Sequence, residues 1–272
     1  MHVRGRCRRR EHLLDRERRD HRDRDRARLH RRRDRLDPRR LPRAARRAEG
    51  SPGLSDEIDV ARIGEDVPLL EGIRTARAIR RLRPDPVPRE LVRKVCEAGT
   101  FAPSGGNRQP WVFVAVTEPE RRAWVAERYR RGFHAYIAPA LEAAKRDDFP
   151  EAGRRNMRAA LFLADHLHEA PVHLFVAGWT RRGRPQVQAL FPCIQNVLLA
   201  CRAVGLGASL TTLHRSFGDE CDRWLGLPEG CPSIALLPIG WPSGRHGRPP
   251  RRPVDACLHW QVVTKPSDPL PG

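Results

Sequence analysis

From about residue 60 onward, the apolar positions fall into two periods. Val60, Ile63, Val67 and Leu70 recur at helical spacing and predict a helix over 60–75. A second helix opens at Pro88, as proline can at a first turn. It carries Leu91, Val92, Val95 and Ala98 on one stripe and stops at Ala102-Pro103. Residues 111–117 form a near-continuous apolar run, which predicts a strand buried on both faces. A charged helix is expected from about 118 to 131. Residues 132–150 have no clean period and read as a lid or a connection. A helix over 153–168 and the strand "APVHLFVAGW" follow. Residues 185–206 form a long apolar helix closed by Gly205 and Gly207, with Pro192 either kinking it or marking its true first turn. A short helix at 217–225 and a third strand, "SIALLPIGWP", complete the pattern. Helices and strands mix without a regular βαβ rhythm, which favours an α+β fold.

Before residue 56 this patterning is absent. Residues 1–50 hold 21 Arg, no Lys and 9 acidic groups, a net of +12 out of +19 for the 272-residue chain. Such a segment cannot bury enough apolar surface to offset its ordering entropy. Three readings compete for this head, residues 1–55: a solvated tail, a nucleic-acid-binding arm, or the product of a start codon placed too far upstream. The inert tail and the misplaced start are favoured, although no second Met occurs before Met157. The remaining 222 residues carry a net of only +7, so nucleic acid is not the expected partner of the body. The expected organisation is a head over 1–55, a domain over 56–263 and a short flexible tail over 264–272.

No apolar run reaches the roughly 18 residues of a membrane span, and the N-terminus has no apolar core of a secretory signal. Seven cysteines form no CxxC pair and suit reduced thiols in a cytoplasmic protein. Each reads first as a small buried hydrophobe.

Four clusters carry candidate chemistry. The first is "APSGGN", residues 102–107, between a helix end and a strand start. Its small residues tolerate positive φ and let backbone approach a planar or anionic ligand; an ordinary turn explains the same composition. The second is "IRTARAIRRLRPDPVP", residues 73–88, whose guanidinium forks match a phosphate, or else form a solvated basic face. The third is "GLGASLTTLH", residues 205–214. Its GxG follows a helix, whereas a dinucleotide fingerprint follows a strand, so a Rossmann reading is rejected. The fourth is Arg251-Arg252-Pro253. His166, His168 and His173 fit no metal-ligand spacing. Neither a GxSxG elbow nor a Walker A loop occurs.

Taken in order, these clusters resemble the FMN-dependent nitroreductase superfamily. The segments concerned are "ARAIRRL…PDPVP", "APSGGNRQPWVFVAV", "QNVLLACRAVGLGASLTT" and "PIGWP…RRPVDACLHW". The likeness covers about residues 60–263. It implies an α+β nitroreductase-like fold with a central, mostly antiparallel sheet flanked by helices. It also implies a homodimer with the long central helix at the interface. It implies FMN held at the phosphate by Arg77 and Arg80, with Ala78 alongside in place of the usual Ser. Pro103, Ser104 and Asn107 would line the flavin, Leu210, Thr211 and Thr212 would lie near its ring edge, and Arg251 with Arg252 would reach the phosphate. No side chain is expected as nucleophile or acid–base catalyst, and no metal. NAD(P)H would reduce the flavin in ping-pong turnover, and a nitroaromatic, quinone-like or other small electrophile would reoxidise it. Two alternatives stand beside this: a specialised flavin enzyme of the same fold (dehalogenation, flavin cleavage or deazaflavin-cofactor biosynthesis), and a non-enzymatic nucleic-acid-binding protein using the head.

Overall fold

Residues 63–263 are described by a computed structural model. The expected head, the expected tail and the first residues of the first predicted helix lie outside them.

At the centre is a four-stranded sheet in the order β1-β2-β6-β5. Its strands are β1 (Trp111–Val116), β2 (Val172–Gly178), β5 (Gly207–Ala208) and β6 (Ser233–Gly240). The two-residue strands β3 (Thr180–Arg181) and β4 (Arg184–Pro185) form a separate hairpin. Every neighbouring pair in the sheet is antiparallel, with Phe113 opposite Val176 and Leu174 opposite Leu237. Among the described residues, six helices surround it: α1 (Leu69–Thr75), α2 (Arg89–Thr100), α3 (Pro119–Ala143), α4 (Glu151–His166), α5 (Val187–Ala203) and α6 (Gly218–Trp224). This is the expected α+β fold with an antiparallel sheet.

Strand periodicity sorts the core into two layers. Val172, Leu174 and Val176 of β2, with Ala235, Leu237 and Ile239 of β6, pack against Leu91, Val95, Leu190, Ile194 and Val197 of α2 and α5. Phe175 and Leu236 face the other way, toward Val125, Tyr129, Phe133, Ile137, Leu163 and Cys221 of α3, α4 and α6. Both faces of β2 are therefore covered, and all seven of its residues are buried.

Four expectations need correction. The first helix is short: among the described residues, only Leu69–Thr75 is α-helical, and turns precede it. Strand β1 is not buried on both faces. It pairs only with β2 at the sheet edge and is largely half-exposed. Its apolar run reflects two half-covered faces, with Trp111 and Phe113 toward one core layer and Val114 and Val116 toward the other. The stretch read as a lid or a connection is mostly helix. α3 continues through 132–143, because Phe133 and Ile137 extend the stripe of Val125, Ala126 and Tyr129. Pro139 sits near the end of α3, where few downstream bonds depend on it. Finally, α5 starts at Val187, two residues later than expected, with Pro192 inside it.

Candidate functional site

Residues 76–83 are laid in extended form along the β5–β6 end of the sheet. The Ile79 N–H donates to Ala208 O (2.9 Å), Arg83 N–H to Trp241 O (2.8 Å) and Ser243 N–H to Arg81 O (3.0 Å). Gly207 permits this approach. A Cβ there would lie 2.8 Å from Ile79 Cγ2 and 2.9 Å from Leu82 Cδ2. The extended course sends neighbouring arginines to different places. Arg77 and Ala78 reach a cavity. Arg80 is instead half-buried beside Tyr129, and burial lowers its pKa. Arg81 stacks 3.9 Å from the Phe162 ring of α4, and Arg83 pairs with Asp85 at 3.4 Å.

The cavity has a volume of about 450 Å³, within the roughly 300–1,000 Å³ typical of small-molecule sites. Distant parts of the chain build it. Gln195, Leu198 and Arg202 come from one face of α5, at helical spacing. Ala208, Ser209 and Leu210 follow α5, and His246 and Arg251 come from the segment after β6. Arg202 is held in place by donating from Nε to Thr75 Oγ1 at 2.7 Å, and Thr75 in turn donates to Glu71 O at 2.7 Å.

The polar lining is incompletely satisfied. Ser209 Oγ and both ring nitrogens of His246 are enclosed without a hydrogen-bond partner. These three atoms lie closed off beneath the cavity surface rather than open to it. The lining contains three guanidinium groups and no carboxylate. Its walls are Ile73, Leu198, Leu206 and Leu210. The donor set suits a ligand with an anionic end and a broad apolar or planar body. A flavin mononucleotide fits that description, by volume and by chemistry.

Of the residues expected from sequence, Arg77, Ala78, Leu210 and Arg251 line the cavity, whereas Arg80, Pro103, Ser104, Asn107, Thr211, Thr212 and Arg252 are not in its wall. Thr211 is engaged by Tyr129, whose Oη lies 3.0 Å from Thr211 Oγ1. Thr212 and Arg252 are exposed. The loop after α2 is locked by its own bonds. The Gln109 N–H donates to Ser104 Oγ (3.0 Å), Asn107 N–H to Ser104 O (2.9 Å) and Gln109 Nε2 to Asn107 Oδ1 (3.2 Å). Gly106, Asn107 and Gln109 all take positive φ, near 64°, 51° and 49°. Gly105, Gly106 and Asn107 point this rigid turn at solvent.

Sequence reasoning missed Gln195, Arg202, Ser209 and His246. The i, i+3, i+7 spacing of Gln195, Leu198 and Arg202 was an available signal. Ser209 lay inside the third candidate cluster without being singled out, and nothing local marked His246.

The other buried polar cluster has a structural role. Ser233 Oγ donates to Asp222 Oδ1, Arg215 donates to Asp222 Oδ2 at 2.7 Å, and His214 Nε2 lies 3.2 Å from Ser233 Oγ. The hydroxyl proton is directed to the carboxylate rather than to the imidazole, which is the wrong order for an activated nucleophile. The cluster pins α6 to β6. Among the described residues, no group of three or more His, Cys, Asp or Glu side chains could hold a metal ion. None of the described helices is long and apolar enough to cross a membrane.

Comparison with known proteins agrees with this geometry. The profile of the Nitroreductase family matches residues 73–241. The chain is 32% identical over 184 residues to a 5,6-dimethylbenzimidazole synthase of Rhodospirillum rubrum, covering 64% of this chain and 81% of that protein. It is 31% identical over 205 residues to an NADH dehydrogenase of Thermus thermophilus, covering 68% and 92%. Among solved structures, an FMN and NADPH-dependent nitroreductase from Sphigopyxis sp. strain HMH superposes with a TM-score of 0.55 at 25% identity, covering 72% of this chain and 99% of that one.

Proposed function

The chain belongs to the nitroreductase family of flavin oxidoreductases, and from that premise we propose that its cavity binds FMN and that NAD(P)H is the electron donor. The observation that carries this reading is the lining itself: three guanidinium groups and no carboxylate beside an apolar wall. The named relatives, an NADH dehydrogenase and an FMN and NADPH-dependent nitroreductase, support the same cofactor pair.

Bound FMN would supply two-electron transfer between the nicotinamide and a small electrophilic acceptor such as a nitroaromatic or a quinone. The protein's work is to hold and orient. Arg77 and Arg251, which line the cavity from segments far apart in the sequence, would hold the phosphate through charge-assisted bonds. Ala78 offers only its backbone where a hydroxyl would otherwise contribute. Leu198, Leu206 and Leu210 exclude water from the ring. Pro103, Ser104 and Asn107, absent from this chain's own cavity wall, would complete the site from a second copy. A homodimer is consistent with the apolar surface left open on α1 (Leu69, Leu70, Ile73), at Phe101 and along the C-terminal segment (Val254, Trp260, Val262).

The test is a flavin titration followed by absorbance and fluorescence. Wild type should bind FMN, and Arg251→Ala should weaken binding by about 10- to 100-fold, as expected for a lost charge-assisted bond. Steady-state double-reciprocal lines for NAD(P)H against acceptor should be parallel. Intersecting lines, or a chain that stays colourless with excess FMN, would refute the proposal. A second reading, a specialised flavin enzyme of this fold, is favoured by the 32% identity to the 5,6-dimethylbenzimidazole synthase. Turnover with generic acceptors separates the two, because a specialised enzyme would turn them over poorly.

A further inference from the structure

We propose that Arg202 is a specificity-determining residue of this cavity: pinned through Nε to Thr75, it presents both terminal nitrogens to the anionic end of the ligand and so makes the cavity favour a phosphorylated flavin over a neutral one. The inference deepens the FMN reading above and rests on it.

The geometry begins with Thr75. It is buried at the end of α1, and its hydroxyl proton goes to Glu71 O at 2.7 Å. The Thr75 oxygen can therefore only accept, and it accepts from Arg202 Nε at 2.7 Å. That bond orients a planar guanidinium and leaves its outer edge, Nη1 and Nη2, to other partners. Among the described residues, neither terminal nitrogen has a hydrogen-bond or ion-pair partner. Arg202 is half-buried and lines the cavity. Its terminal nitrogens, unlike Ser209 Oγ and the His246 ring nitrogens, are not closed off.

No acidic group answers this charge. The cavity lining holds no carboxylate. Glu71, one turn before Thr75, sends its carboxylate to Arg248 at 3.2 Å. The other charges in the lining are Arg77 and Arg251, both exposed. Arg251 donates from Nη1 only to its own neighbour, Pro250 O, at 2.9 Å. Of the three guanidinium groups, Arg202 is thus the one that is half-buried and held by a second element. A phosphate carries about −1.5 to −2 charges and three acceptor oxygens, and a guanidinium edge can meet two of them at once. The neutral hydroxyl that ends riboflavin gains much less from the same edge.

A purely structural role would look different. Arg202 lies in the last turn of α5, where a cation suits the negative end of the helix dipole, and its bond to Thr75 ties α1 to α5. Both effects act on the fold and treat the two flavins alike. Contact with the anionic end separates them.

The experiment measures FMN and riboflavin affinities by flavin fluorescence for wild type, Arg202→Gln, Arg202→Lys, Thr75→Val and the double variant Thr75→Val with Arg202→Gln. Riboflavin lacks the phosphate and reports the ring site alone. Arg202→Gln should lower the ratio of FMN to riboflavin affinity by about 10- to 100-fold, the loss of a charge-assisted contact, and leave riboflavin affinity close to that of wild type. Arg202→Lys keeps the charge but cannot serve Thr75 and the phosphate together, so it should lose about three- to tenfold in the ratio; it carries the test if Arg202→Gln does not fold. Thr75→Val should lower the ratio when Arg202 is present and leave it unchanged in the Arg202→Gln background. A ratio that neither Arg202 variant changes overturns the proposal. So does an equal loss for both flavins, which would mark Arg202 as merely structural, or a Thr75→Val effect that persists without Arg202. If wild type binds FMN while any of these outcomes occurs, the cofactor reading survives; if it binds neither flavin, both fall together.

Discussion

Gly207→Ala tests how the fold delivers Arg77 to the cavity. Position 207 lies in β5 opposite Gly240, and residues 79–82 cross directly over it. An added Cβ would meet Ile79 Cγ2 at 2.8 Å, Leu82 Cδ2 at 2.9 Å and Ile79 Cβ at 3.0 Å. The last of these is not the end of a flexible chain, so the contact is relieved only by lifting the segment. Lifting it strains the bond from Ile79 N–H to Ala208 O, now 2.9 Å. Overpacking of this kind costs about 1–3 kcal/mol. Because Arg77 is two residues away on the same segment, its guanidinium moves with it. FMN affinity should then fall by on the order of tenfold, equivalent to one charge-assisted bond. Urea unfolding reads the first effect and flavin titration reads the second. Gly105→Ala is the stability control, since nothing lies within 4 Å of its Cβ position; it should stay within about 0.5 kcal/mol of wild type. If Gly207→Ala unfolds at the wild-type urea concentration and binds FMN as wild type does, the close approach does not position the arginine.

Two further outcomes follow from buried groups. Tyr129→Phe removes the 3.0 Å bond to Thr211 that ties α3 to the segment after β5, and should lower unfolding stability by about 1 kcal/mol; no change would mean that the bond contributes nothing net. His173 and His214 are buried neutral, each with its pKa lowered to about 4, chiefly by burial. The unfolded chain protonates them first, so their contribution is complete above about pH 6.5 and is lost as pH falls toward 4, up to about 3 kcal/mol apiece. Denaturant midpoints that stay constant between pH 7 and pH 5, above most carboxylate titration, would contradict this.

Part of the cavity lining was legible as sequence because its parts are contiguous motifs. The stretch around Arg77-Ala78, the Leu210 region and Arg251 could be named without coordinates, and all three line the cavity. Arg80 lies outside the cavity wall for a local reason. In an extended segment, adjacent side chains diverge, and nothing in "ARAIRR" says which of them faces the sheet, α3 or the ligand. His246 has no sequence mark, because a lone polar residue becomes informative only when the fold places it.

The division is physical. Helical and strand periods are local, so the chain by itself determined α2, α4, α5, β2, β6 and the α+β class. Whether an apolar strand is central or at an edge depends on which strands pair beside it, and only the assembled sheet made β1 an edge. The continuation of α3 was decided by the core that Phe133 and Ile137 enter. Only tertiary structure brought Arg77, Arg202, His246 and Arg251 around one cavity, because their convergence is a property of packed elements far apart in the chain.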